Sequence, residues 1–111
     1  MRITCMQYLV EAENIDGLVQ MKDVPDYVTS LVLPSYEMLI KMENEGKIKG
    51  GLIAGQRSGV FVIEADSNDD LGKKLRSFPF WGMVKWKTTA LQSFKSALEQ
   101  DGNIIKAFEG N

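Results

Sequence analysis

Tyr36 and Glu37 stand side by side in VLPSYEMLIKM, and Lys41 follows Glu37 by four residues. A carboxylate next to a phenol can take a proton from the carbon beside a carbonyl and steady the enolate that results. Arg57, in the turn GQRSG, and Tyr8, in ITCMQYLVEAE, add a cation and a second phenol able to hold a ligand oxygen. Acid–base chemistry has few other carriers here, because the chain has no histidine and one cysteine, Cys5. Without histidine there is no ordinary base near neutral pH and no Ser-His-Asp or Cys-His arrangement within one chain. Zinc and iron–sulfur sites are disfavoured for the same reason, so no metal and no cofactor is expected. Gly-x-Gly-x-x-Gly and Walker patterns are absent, and the glycines of KGGLIAG fall in a strand-like stretch.

Each of these residues also has a plainer reading. Glu37 and Lys41 can form a solvated i,i+4 pair worth a few tenths of a kcal/mol. Tyr8 can be a packing tyrosine with one structural hydrogen bond. Arg57 can be a solvated turn arginine, Glu64 a solvated strand end, and Trp86 a core residue. Cys5 reads as a small buried hydrophobe, since nothing in the chain would activate it.

The 111 residues fit one domain, with a core spanning 1–91 and a C-terminal extension over 92–111. A net charge of −2 with scattered Lys and Arg offers no basic stripe, so nucleic acid is not an expected partner. No apolar run approaches the ~20 residues that span a bilayer, and the N-terminal residues alternate instead of forming a signal-peptide block. A soluble, cytoplasmic protein is the expectation, a lone cysteine being consistent with reducing conditions.

These candidates must be positioned by elements that the pattern predicts in turn. ITCMQYLVEAE reads as a first strand, and residues 14–26 as a loop with at most a short helical turn. Residues 27–46 read as the first helical region; Pro34 suits a helix start, so its regular helix is expected from near Pro34 to Gly46, burying Met38, Leu39 and Met42. KIKGGLIAG and GVFVIEAD form a hairpin around GQRSG. SNDDLGKKLRSF is the second helix, with Ser67 capping the amide of Asp70 and Leu71, Leu75 and Phe78 on one side. WGMVKWKTT is the last strand. Leu91, Phe94 and Leu98 then recur at helical spacing, followed by a break at Gly102 and a further apolar set, Ile104, Ile105 and Phe108.

The order is β-α-β-β-α-β with an extension. It predicts an α+β, ferredoxin-like fold: a four-stranded antiparallel sheet with two helices on one face. In VFVIEA, however, Val60 and Val62 alternate with Phe61 and Ile63, so this strand is apolar on both sides. The second face amounts to roughly 300 Å² in projection, and covering it with another copy is the expected outcome. The alternative is that the C-terminal segment folds over it.

The stretch NEGKIKGGLIAGQRSGVFVIEADSNDDLGKKLRSFPFWGMVKWKTTAL, with VLPSYEMLIKM before it, resembles the muconolactone isomerase family over residues 31–91. The shared pattern is a Leu-Pro helix start, a Glu-Gly helix end, a hydrophobic strand closing in Glu-Ala-Asp-Ser, and a Phe-Pro-aromatic turn. The resemblance implies a dimeric α+β barrel with two sheets face to face and a small-molecule pocket bounded by sheet, helices and partner subunit. It also implies cofactor-free isomerisation of a lactone-like molecule. The family's lysine and acid lie early in the first helix, a region matched here by LVLPSYE, where Glu37 is the one carboxylate. The expected site therefore combines Glu37 and Tyr36 as catalytic residues with Tyr8, Arg57, Phe80, Trp81 and Trp86 around a small apolar ligand. Phe78, Phe80 and Trp81 are expected to cap the sheet and form a pocket wall or a dimer contact. Two other readings remain: a non-catalytic oligomerising domain, and a cofactor-independent oxygenase of the same barrel type.

Overall fold

Alternation on the first strand decides which side of the sheet is covered. In β1 (Met6–Asn14), Tyr8 and Val10 are buried, whereas Gln7, Glu11 and Glu13 are exposed. The same two-residue period continues in β3 (Ser58–Ala65), where Phe61, Ile63 and Ala65 are buried. The structure, a computed structural model, describes residues 6–110, so the reading of Cys5 lies outside the described residues. With β2 (Ile48–Leu52) and β4 (Val84–Leu91), these strands form one antiparallel sheet in the order β2-β3-β1-β4. The fold is α+β and compatible with a ferredoxin-like arrangement.

The helix layer begins earlier than Pro34. A 3-10 turn at Met21–Asp23 leads into α1 (Val24–Tyr27), a π-helical turn at Val28–Val32, and α2 (Leu33–Asn44) without interruption. Proline inside a helix lacks an N–H and crowds the carbonyl four residues back. Here the wider π turn immediately precedes Pro34, which then occupies the first turn of α2, so the chain passes through it while remaining helical. Met38, Leu39 and Met42 pack against the core as expected, joined by Leu31 and Tyr36. Gly46 ends the helix with φ +75°, a conformation that suits glycine.

α3 (Asn68–Arg76) starts as its sequence dictates. Ser67 accepts the Asp70 N–H at 3.0 Å, and the Asp70 carboxylate accepts the Asp66 N–H at 2.9 Å. Leu71 and Leu75 are its buried side. The aromatic turn that follows has two different sides. Phe78 is buried among Phe61, Phe80 and Trp86, and Phe80 meets Tyr36 edge-on. Trp81 instead is 40% exposed, with the Arg76 guanidinium 5.1 Å over its ring.

After β4, the chain forms α4 (Phe94–Glu109), a helix that runs straight through Gly102. One glycine costs a helix about 1 kcal/mol, which the eight strong helix formers of α4 can outweigh, so no break is required. Leu91 closes β4 instead of starting this helix. α4 does not fold over the open sheet face: its large apolar residues are all exposed, and the molecule extends to 70 Å in its longest dimension. Val60 and Val62 on that face stay half-buried. Among the described residues, no helix is long and apolar enough to cross a membrane.

Candidate functional site

A cavity of about 660 Å³ lies between the sheet and the first helical region, and its cause can be read in the strand register. On the helix-facing side, Val10 sits opposite Phe61 and fills its row. Two residues along, Ala12 sits opposite Gly59. One methyl and one hydrogen cannot fill the space beneath a helix laid on the sheet. Val24, Val28, Val32, Tyr36 and Leu39 roof this hollow, and Phe61, Phe80 and Val84 wall it. Gly50, in the adjacent strand, also lines it and lies so close to β3 that a Cβ would run into the Val60 carbonyl oxygen and Phe61 Cα.

Polar groups converge at one end. Asn14, the last residue of β1, donates its backbone N–H to the Arg57 carbonyl at 3.0 Å, which ties the end of β1 to the β2–β3 turn. Its side-chain amide donates to Asp16 at 3.4 Å, fixing the other end of the amide as the acceptor. That oxygen receives the Tyr27 hydroxyl at 3.3 Å. Tyr27, Asn14, Tyr36 and Arg57 all line the cavity, as do the carboxylate residues Asp16 and Glu43. Burial pushes the Tyr27 hydroxyl above its usual range, the neighbouring Tyr36 adds to this, and Arg57 pulls the other way. Tyr27 is therefore a proton donor at neutral pH, held among groups that feel one another's charge. An apolar chamber with two phenols, an amide and a guanidinium at one end suits a small molecule with one oxygen-bearing end.

The residues expected from sequence divide between this chamber and other parts of the fold. Tyr36, Arg57 and Phe80 line it. Tyr8 is buried elsewhere, donating its hydroxyl to Asn68 at the start of α3. Glu37 is exposed on α2, outside the cavity lining, and among the described residues no ion pair joins it to Lys41. Trp86 stacks on Phe78 with ring centroids 6.2 Å apart, and its indole N–H donates to the Trp81 carbonyl. Trp81 faces solvent and Arg76. Asn14 went unrecognised because it falls where the pattern reads as loop, and Tyr27 because it starts the first helical region with nothing in the pattern to set it beside Asn14. The signal that would have found the chamber is the coincidence of Ala12 and Gly59 once β1 and β3 are set antiparallel.

Neither protein-family models nor curated proteins yield a match to this chain.

Proposed function

We propose that the cavity binds a small, largely apolar molecule carrying a carbonyl or hydroxyl oxygen, in a chain that pairs as a dimeric α+β barrel of the muconolactone isomerase type. The observation that carries this reading is the apolar chamber of about 660 Å³ with Tyr27, Tyr36, Asn14 and Arg57 gathered at one end. Ligand carbon would lie over Phe61, Phe80 and Val84, and the oxygen would meet the phenols and the guanidinium.

Cofactor-free proton transfer on a lactone-like ligand is the chemistry these groups could support. Two phenols and an arginine can stabilise an enolate oxygen as it gains charge. A base is also required, and Asp16 and Glu43 are the carboxylate residues on the lining. Glu37, being exposed outside that lining, could serve only if a partner subunit brought substrate to it.

Titration with small lactones, followed by the intrinsic tryptophan signal, tests binding, and deuterium uptake at the ligand's α-carbon tests proton transfer. Saturable binding that Tyr27→Phe weakens by about tenfold supports the site. Binding without deuterium uptake restricts the function to binding. No saturable binding by lactones, ketones or phenols contradicts the reading. A second reading, a non-catalytic oligomerising domain, is favoured by one observation: α4 presents an apolar face with no partner in its own chain.

A further inference from the structure

α4 carries Phe94, Leu98, Ile104, Ile105 and Phe108, each more than half exposed, from 53% at Ile104 to 95% at Phe94. At 100° per residue all five fall within a ~120° arc that also holds Asp101, with Lys95, Glu99, Lys106 and Glu109 along one flank. A second apolar surface without cover lies on the body. Ile15, Met21, Ile40 and Leu52 are exposed, and all four line the mouth of the cavity.

Within one chain these surfaces lie apart. α4 leaves the sheet at Leu91, which pairs with Gln7, whereas the cavity lies at the other end, where Val84 pairs with Asn14. The eight residues of β4 separate these ends by ~27 Å. The connection of Gln92 and Ser93 is bonded to α4 itself. Ser93 accepts the Ser96 N–H at 3.0 Å, and the Gln92 amide donates to Gln100 at 2.9 Å and to Ser96 at 3.3 Å. The helix projects from its own body, with its large apolar residues exposed and the molecule 70 Å in its longest dimension, and it is itself ~24 Å long.

We propose that α4 is an exchanged arm: in a pair of copies, each α4 lays its apolar side across the cavity mouth of the other. Area favours a second copy as the occupant. Phe94 and Phe108 alone offer ~300–500 Å² of side-chain surface. Adding Leu98, Ile104 and Ile105, and counting both helices and both mouths, reaches the order of the ~1,600 Å² typical of a stable complex. Each chain carries both halves of the contact, as a two-fold exchange requires. The arm also closes the chamber, so each site is completed by its partner. This inference goes beyond the ligand reading and stands without it.

The test uses full-length chains in a Cys5→Ser background, one carrying Ile105→Cys and the other Ile40→Cys, mixed under mild oxidation. A disulfide-linked mixed dimer is expected. Its absence, or a link formed only between two Ile105→Cys chains, overturns the exchange. In parallel, Leu98→Glu with Ile105→Glu should leave the unfolding midpoint of the monomer unchanged and weaken self-association at least tenfold by sedimentation. Unchanged association overturns the proposal as well. A chain that gives the mixed link yet binds no small molecule sinks the ligand reading alone.

Discussion

Phe80 donates its backbone N–H to the hydroxyl of Ser35 at 3.1 Å, inside the protein and across 45 positions of sequence. Ser35 is fully buried and donates its own hydroxyl hydrogen bond to the Leu31 carbonyl at 2.7 Å, in the turn just before Pro34. One hydroxyl therefore fastens the aromatic turn to the helix layer, and it sets the wall that Phe80 gives the cavity. Ser35→Ala should leave the Phe80 N–H buried without a partner, a loss of ~1–3 kcal/mol. Urea unfolding measures it, and an unchanged midpoint would mean that the turn is held by ring packing alone.

The two tryptophans should respond differently to truncation. Trp86 is half-buried and stacks against the core ring Phe78, and Trp86→Ala should cost about 3 kcal/mol or less, the low end for truncating a packed aromatic. Trp81 is 40% exposed with Arg76 above it, so Trp81→Ala should cost much less and act, if anywhere, on self-association. Unfolding curves for both variants, beside their sedimentation, decide the matter. Equal losses of stability would contradict this division.

Gly50 should tolerate no side chain. A Cβ there runs into backbone atoms of Val60 and Phe61, which cannot move without opening the β2–β3 pairing. Gly50→Ala should destabilise by at least ~1–3 kcal/mol, the usual cost of overpacking. Gly51, whose Cβ would meet nothing, is the control, and Gly51→Ala should change little.

Much of this architecture follows from sequence by simple rules. The Ser67 cap, the Leu71 and Leu75 side of α3, and the β2–β3 hairpin all rest on contacts among residues close along the chain. Residues 27–46 read as helical from sequence, but the stretch from Met21 to Asp26 read as loop and the unbroken passage into Pro34 was hidden, because proline signals a helix start wherever the chain ahead of it is not known to be helical. The candidate site was harder still. Tyr36, Arg57 and Phe80 could be named from their residue types, but the hollow that gathers them depends on which small residues meet across strands. Asn14 and Tyr27 join it through a contact that no local pattern announces.

Acid should weaken the start of α3. The Asp66 N–H, then Lys74, whose ammonium lies 3.1 Å away, hold the Asp70 carboxyl below its ordinary value of 3.8. The unfolded chain thus takes up this proton first. The contribution is complete above pH 3.8 and is lost as pH falls through the lower folded value. Thermal melts of Asp70→Asn against the native chain should converge as pH falls below that range. A difference that stays constant down to pH 2 would contradict the linkage.

Filling the hollow between Ala12 and Gly59 tests the central claim most directly. Ala12→Leu combined with Val28→Phe adds carbon to the floor and roof of the cavity while leaving Tyr27, Tyr36, Asn14 and Arg57 in place. The measurement is calorimetric titration, with the best-binding small lactone or an apolar naphthalene probe, against native and filled chains of matched helicity. The cavity account predicts at least a tenfold loss of affinity in the filled chain, with stability kept or raised. Undiminished affinity in a folded, filled chain would place the ligand elsewhere and contradict the account.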